Sequence, residues 1–305
     1  MDRTDIVYNL AEILNCDARK YEPLNRHTTF RIGGAADTYV KVTSLSKLSA
    51  IIRECRESDI DYMIIGNGSN ILVSDEGYRG VVIRLDGDFR KISLVDDDTI
   101  YCGAGATLAS LCKFALNSGL SGLEFAWGIP GTVGGAIFMN AGAYGGEMKD
   151  VVYSVNHLTP EGESGRIESD NLNFGYRTSV YRGNKAIITG VTLKLKKDDP
   201  ENIRARMDDY MGRRSSKQPL DYPSAGSVFK RPEGAFAGAL IEQCGLKGYS
   251  HGDAQVSEKH AGFLINRGGA TAADFLALKE LVQEEVYRRF GVRLEPEVRI
   301  VGEKA

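Results

Sequence analysis

Apolar residues recur at helical spacing in several separate stretches, and alternation or short apolar runs fill the ground between them. Ile6, Leu10, Ile13 and Leu14 predict a short helix near the N-terminus. Leu45, Leu48, Ile51 and Ile52 form one face of a second, with Ser44 as its N-cap. Thr107 starts a third, which carries Leu108, Leu111, Cys112 and Ala115 and stops at Gly119. Further helices are predicted over Ile203 to Arg214 and around Ala237 to Cys244. The strongest begins at Thr271 with Asp274 three residues on, carries Phe275, Leu278, Val282 and Phe290, and ends at Gly291. Strands are predicted over Asp37 to Val42, Tyr62 to Ile65, Ile71 to Val73, Val81 to Leu85, Thr99 to Cys102 and Val151 to Leu158. Others follow over Ala186 to Gly190, Val191 to Leu195, Gly262 to Ile265, and a closing strand from Arg293 to Val301. The segments Pro23 to Thr29 and Lys217 to Gly226 read as loops.

Helices and strands mix without the regular alternation of a doubly wound sheet, so the fold class is α+β. The charged stretch Lys194 to Glu201 marks a boundary between a nucleotide-binding part and a smaller C-terminal domain. There are no internal repeats and no low-complexity segments.

Composition narrows the function. The 305 residues carry 38 Lys plus Arg against 41 Asp plus Glu, a formal charge of −3. That balance advertises neither nucleic acid nor an anionic membrane as a partner. The five cysteines, Cys16, Cys55, Cys102, Cys112 and Cys244, are irregularly spaced. They suggest no disulfide framework or zinc site and fit a reducing compartment. His251 and His260 have no metal-ligand partners at suitable spacing, so no metal is assigned. The N-terminus has no apolar segment of a secretory signal, and no membrane-length apolar run follows, so a cytoplasmic location is expected. The unusual number is 35 glycines, clustered rather than periodic. Such clusters mean tight turns or close approach of backbone to a ligand.

Two clusters stand out. Gly66-Asn67-Gly68-Ser69-Asn70 follows an apolar strand, where glycine lets backbone N–H groups converge on an anion. A Rossmann loop would open a helix, whereas here a strand follows. A hairpin turn is the plain alternative, because Asn-Gly is a strong turn dipeptide. The second cluster runs from Trp127 to Gly146 and holds seven glycines in twenty residues. Ordering so many glycines calls for a compensating interaction. Either backbone packs closely at a domain junction, or the loop cradles a large planar cofactor and its pyrophosphate.

Within and beyond this second cluster, three motifs are specific: Gly128-Ile129-Pro130-Gly131-Thr132-Val133-Gly134-Gly135, Tyr176-Arg177-Thr178-Ser179, and Ala225-Gly226-Ser227-Val228-Phe229-Lys230. With them the chain resembles the UDP-N-acetylenolpyruvoylglucosamine reductases of bacterial peptidoglycan synthesis. The resemblance spans nearly the whole chain, from His27-Thr28-Thr29-Phe30-Arg31-Ile32-Gly33-Gly34 to Leu294-Glu295-Pro296-Glu297-Val298-Arg299. It implies an FAD-binding domain of the vanillyl-alcohol-oxidase-like (PCMH) type in two lobes plus a smaller C-terminal α+β substrate domain. The implied layout is an N-terminal helical segment over 1–32, the FAD-binding domain over 33–198, and the substrate-binding domain over 199–305. It also implies noncovalent FAD held by Gly66, Asn67, Gly68, Ser69, Asn70, Gly131, Thr132, Gly134, Gly135, Asn140 and Gly142. The first loop has no His or Cys for a covalent flavin link, which agrees. The short spacing between Tyr181 and Ala186 resembles the shorter subtype, which lacks an extra tyrosine-bearing loop.

By the same resemblance, NADPH is the reductant and UDP-N-acetylglucosamine enolpyruvate the substrate, while protein partners are left open. The chemistry needs a cation on the substrate carboxylate, a polar group at the developing enolate, and a proton donor. The resemblance assigns Arg177 to the carboxylate, Ser227 to protonation of the enolate carbon, and Glu297 to assisting enolate stabilisation or proton delivery. Taken alone, Arg177 could make a surface salt bridge, Ser227 could sit in a turn, and Glu297 could lie on a solvated strand face beside Glu295 and Arg299. Lys217, Lys230 and Arg231 flank Ser227 as a clamp for the UDP diphosphate, or as ordinary surface charge. The rival enzymatic reading is an FAD-dependent oxidase of the same fold acting on an alcohol or sugar. A binding protein without turnover is the rival from another class.

Overall fold

A computed structural model describes residues 3–302. Two compact units divide the chain discontinuously. The first comprises Met1–Lys20, Thr38–Gly66 and Gly80–Arg213, and the second Tyr21–Asp37, Asn67–Arg79 and Arg214–Ala305.

The first unit carries α1 (Asp5–Ile13), α2 (Leu45–Glu57), α3 (Leu108–Asn117), the short α4 (Val133–Phe138) and most of α5 (Pro200–Lys217). One sheet lies mainly in this unit, with the order Asp17–Pro23, Ala35–Val42, Tyr78–Leu85, Tyr62–Ile65. The last two of these strands run parallel, Tyr62 opposite Val81. A second sheet is antiparallel throughout, ordered Ser164–Glu168, Val152–Leu158, Ile187–Lys194, Thr99–Gly103, Ile92–Leu94. Its strands and α1 to α5 share one apolar core that includes Val40, Ile51, Ile83, Leu111 and Val191. Arg206 on α5 pairs with the buried Glu124 at 2.8 Å and with Asp198 at 2.5 Å, which ties that helix down.

The second unit has its own core, built from Phe30, Leu72, Ile241, Leu264, Phe275, Leu278 and Val282 among others. An antiparallel sheet ordered Ser224–Ser227, Phe263–Asn266, Ala254–Val256, Ser250–His251 forms one wall. Against it pack α6 (Ala237–Gln243) and α7 (Ala272–Phe290). Phe30 meets Phe275 edge-on, with ring centroids 5.1 Å apart. The strand Arg299–Val301 pairs in parallel with Ile71–Val73.

The caps expected at α3 and α7 form. Thr107 accepts from the Ser110 amide at 3.1 Å, Thr271 and Asp274 complete a capping box, and Gly291 closes α7 at φ 67°. Ser44 stands at the start of α2, but its hydroxyl turns to Ser46 rather than capping the helix.

Several expectations are corrected. The buried face of α1 is Val7 and Ala11, whereas Ile6 and Ile13 are exposed. Helical spacing alone tolerates a one-residue rotation when apolar residues stand on both sides of the face. Leu45 is likewise exposed at the edge of α2. Ala186–Gly190 and Val191–Leu195 are one strand, Ile187–Lys194. Lys217 closes α5 instead of opening a loop, and residues 224–226 of the expected loop belong to the strand Ser224–Ser227. The closing strand is only Arg299–Val301. Pro296 has no N–H to give a ladder, and it meets Phe229 in an isolated bridge.

Candidate active site

Gly66, the first residue of the first glycine cluster, meets the second cluster within the first unit. A Cβ on Gly66 would lie 2.3 Å from Thr132 Oγ1, so only glycine lets the end of the first strand approach the second cluster this closely. Thr132 is the N-cap of α4, a helix the glycine content conceals. The helix stands because its residues are used elsewhere. The amides of Val133 and Gly134 donate to Ala106 O and Ala104 O, both at 2.9 Å, and Val133, Ala136 and Ile137 are buried. A Cβ on Gly134 would sit 3.0 Å from that of Ala104. The close-packing reading is therefore correct for Gly134. Gly135 differs, since its Cβ would meet nothing nearer than Thr132 Oγ1 at 3.5 Å. Its face of the helix is bare backbone.

Asn140 follows, almost fully buried and left-handed at φ 43°. Its amide donates to Glu147 Oε2 at 2.5 Å and Gly175 O at 3.1 Å, and its oxygen accepts from the Lys149 amide at 3.0 Å. Gly175 and Thr178 exchange backbone hydrogen bonds at 3.1 and 3.3 Å around Tyr176 and Arg177. Arg177 is the residue of this tight turn with positive φ, 56°, a conformation that non-glycine residues adopt only when their surroundings impose it. Asn140 imposes it from one side. Ser179 does so from the other, donating to Phe138 O at 2.9 Å. The Arg177 guanidinium lies over the Tyr176 ring, 5.2 Å from its centroid.

In the second unit, Ser227 ends the strand Ser224–Ser227 and follows Gly226, which has φ 76° and open space where a Cβ would stand. Among the described residues, the Ser227 hydroxyl is held by a 3.5 Å contact to Phe229 O, at the limit of a hydrogen bond. The next residue accepts from Glu297, whose amide donates to Val228 O at 2.7 Å. The Glu297 carbonyl accepts from Asn70 Nδ2 at 3.1 Å, and Arg299 N donates to Asn70 O at 3.0 Å. Ser227, Glu297 and Asn70, far apart in sequence, are thus brought together. Gly68 has φ 60°, and among the described residues the amides of Gly68, Ser69 and Asn70 donate to no other protein group. Such a run of undonated amides is an anion-binding concavity.

The expected diphosphate clamp is less uniform. Lys230 is paired with Glu295 at 2.9 Å, Arg231 is exposed with its guanidinium 4.6 Å from the centre of the Phe236 ring, and Lys217 is exposed at the end of α5. Cys55, Cys102 and Cys112 are buried, and burial pushes each thiol up to about 12. None of these three is a reactive thiolate at neutral pH.

Comparison with known proteins decides the family. A family described as UDP-N-acetylenolpyruvoylglucosamine reductase, C-terminal domain, matches residues 218–301, and one described as FAD binding domain matches residues 36–167. A protein of that reductase name from Clostridium botulinum (strain Hall) is 50% identical over 285 residues, 93% of this chain and 92% of its own. One from Syntrophomonas wolfei is 47% identical over 283 residues, 93% of this chain and 94% of its own. The chain belongs to the UDP-N-acetylenolpyruvoylglucosamine reductase family. The crystal structure of the reductase from Thermus caldophilus superposes with a TM-score of 0.82 at 38% identity, covering 94% of this chain and 99% of that one.

Members of this family with the matched FAD binding domain are FAD-dependent oxidoreductases, and the α+β fold with a C-terminal domain is the expected one. The residues present fit the cofactor. The bare helix face at Gly135 has no side chain to obstruct a planar group, and the undonated amides of Gly68 to Asn70 suit phosphate oxygens. Sequence reasoning missed two features here. The engagement of Asn140 with Gly175, and the link from His260 through Gly262 to the residue after Ser227, join segments distant in sequence. Neither leaves a local motif.

Proposed function

We propose that the chain reduces UDP-N-acetylglucosamine enolpyruvate to UDP-N-acetylmuramate with NADPH, a cytoplasmic step of peptidoglycan precursor synthesis. The observation that carries this reading is the junction of the Ser227 and Glu297 segments by the 2.7 Å bond from Glu297 N to Val228 O. It brings the segment of a proton-donating hydroxyl beside that of a carboxylate.

Bound FAD would supply the hydride chemistry that links NADPH to the terminal vinyl carbon. The chain's own residues do the rest. Arg177 holds the substrate carboxylate, into which negative charge spreads as the hydride arrives. Ser227 delivers a proton to the carbon next to that carboxylate, and Glu297 stabilises the enolate or assists the delivery. Lys217, Lys230 and Arg231 hold the UDP diphosphate, with Lys230 exchanging Glu295 for phosphate. The FAD contacts come from Gly66, Asn67, Gly68, Ser69, Asn70, Gly131, Thr132, Gly134, Gly135, Asn140 and Gly142. Among these, Asn140 and Gly142 serve through backbone, because the Asn140 side chain is engaged with protein. The FAD-binding part spans residues 33–198 and the substrate-binding part residues 199–305.

The test is an anaerobic stopped-flow experiment. The yellow protein is reduced with NADPH, then mixed with UDP-N-acetylglucosamine enolpyruvate while flavin absorbance is followed. Fast reoxidation by that substrate is the expected result. A reducible flavin that this substrate leaves reduced, but that oxygen or an alcohol couple turns over rapidly, would replace the reductase reading by the oxidase one.

A further inference from the structure

One imidazole outside the assigned machinery is bonded to Gly262, whose carbonyl in turn holds the residue after Ser227. His260 is half-buried, and its ring meets Phe263 edge-on with centroids 5.0 Å apart. Its Nδ1 accepts from the Gly262 amide at 3.1 Å. The carbonyl of the same Gly262 accepts from the Val228 amide at 2.9 Å. One residue is therefore gripped on both sides, its N–H by the His260 ring and its carbonyl by the residue following Ser227. Glycine at 262 leaves room for this, since a Cβ there would crowd the ring at 3.0 to 3.1 Å and fall 3.4 Å from Ser227 Oγ. Gly238 gives way on the other side, where a Cβ would be 3.2 Å from His260 Cε1.

We infer that His260, as a neutral imidazole protonated on Nε2, is a positioning residue that holds the Ser227 hydroxyl through Gly262. This rests on the proton-donor reading of Ser227. An imidazole that accepts on Nδ1 can do so only while neutral, because both nitrogens of the cation are donors. Burial pushes His260 below its ordinary 6.5 and so keeps it neutral in the working range. The charged groups that bear on the ring are Glu242 on α6 and Lys247 just after it, and they pair with each other at 2.6 Å. The adjacent Lys259 turns away to the Ser215 carbonyl at 2.6 Å. Protonation breaks the grip on Gly262 and lets the Val228 amide, and Ser227 with it, move. A hydroxyl displaced by a fraction of an ångström loses its line to the substrate carbon, and effects of about 10-fold or more follow from such displacements.

The test compares wild type, His260→Phe, His260→Gln and Ser227→Ala as holoenzymes, measuring both half-reactions from about pH 5 to about pH 8. Flavin reduction by NADPH should be the same in wild type and both His260 variants. Reoxidation by the enolpyruvyl substrate should slow by about 10-fold in His260→Phe, which keeps the ring packing and removes the acceptor. It should recover in His260→Gln, whose Oε1 can accept from Gly262. The acid limb of the wild-type profile, falling away below its neutral plateau, should be absent from both variants. A His260→Phe enzyme with the wild-type rate and acid limb would overturn the inference. Failure of the underlying reading shows separately, as a Ser227→Ala enzyme that reoxidises like wild type. Nitrogen NMR of wild-type imidazoles gives a check that needs no variant. It should report the Nε2-protonated tautomer for His260, and an Nδ1-protonated one would overturn the inference.

Discussion

Replacing Asn140 by alanine removes three hydrogen bonds at one buried position. Two of them, to Gly175 O and from the Lys149 amide, are between neutral groups at 3.1 and 3.0 Å, worth about 1 kcal/mol each. The third, to Glu147 Oε2 at 2.5 Å, is charge-assisted. The Glu147 side chain is about a third exposed and keeps Lys149 at 2.9 Å, so water and that lysine compensate part of the loss. Its contribution belongs at the low end of the charged range, about 1.5 kcal/mol. Alanine must also hold φ 43°, where asparagine is better tolerated, adding about 1 kcal/mol. The total is about 4.5 kcal/mol, a large share of the roughly 5–15 kcal/mol that stabilises a typical domain. The protein contains a single tryptophan, Trp127, packed against the core of the first unit, so its fluorescence reads unfolding of that unit during denaturant titration. The same substitution frees one side of the turn that holds Arg177, so reoxidation by substrate should slow by roughly 10- to 100-fold in the enzyme that remains folded. Asn140→Asp should be worse than alanine at neutral pH and recover on acidification, because its carboxylate faces that of Glu147. A loss below about 1 kcal/mol together with an unchanged substrate half-reaction would refute the argument.

Three further outcomes are expected. Gly68→Ala places a Cβ 2.4 Å from the His27 carbonyl at φ 60°, so it should destabilise by more than about 2 kcal/mol and shed FAD on gel filtration, and retained flavin with an unchanged Tm would contradict this. Ser227→Ala and Arg177→Ala should leave flavin reduction by NADPH nearly intact and slow reoxidation by substrate; if both half-reactions fall equally in Ser227→Ala, the proton-donor role is wrong. His157 is buried against Tyr181, with Nδ1 3.1 Å from its hydroxyl, and burial holds its pKa below the ordinary 6.5. The unfolded chain therefore takes up a proton first as pH falls through 6.5, so stability is lost below that value. His157→Asn should flatten the decline of Tm between about pH 6.5 and about pH 5, and an unchanged slope would remove His157 as its cause.

What the chain's pattern foretold depended on whether local chemistry decided the structure. The capping box at Thr271 and the cap at Thr107 are carried by residues within one turn of each other, and both were legible. α4 was hidden because two of its six residues are glycine, and its stability comes from Ala104, Ala106 and its own buried apolar residues rather than from propensity. The strand Asp17–Pro23 was missed because most of its side chains are polar and only Glu22 is buried. Glu297 was read on a strand face, yet Pro296 interrupts the ladder and a bond to Val228 fixes its backbone instead. The catalytic residue types were visible only through motifs shared with a family. The partners of Asn140 and Ser179 lie 35 and 41 residues away, and His260 reaches the Ser227 segment only through Gly262 and across a sheet, so the pattern of the chain did not reveal what these side chains hold.

The parallel pairing of Arg299–Val301 with Ile71–Val73 sets an order of assembly on the ribosome. The first unit is complete once Arg213 has emerged, and its core contains no residue beyond Met207. The second unit draws on residues 21–37 and 67–79, made early, but they must wait for the segment that begins at Arg214 and supplies Phe275, Leu278 and Val298. At a synthesis rate of roughly 5–20 residues per second, that wait is several seconds or more, during which Phe30, Ile32 and Leu72 lack the later-made residues of their core. Nascent chains stalled just after Arg213 should therefore present these apolar residues to chaperones, while the first unit already resists protease.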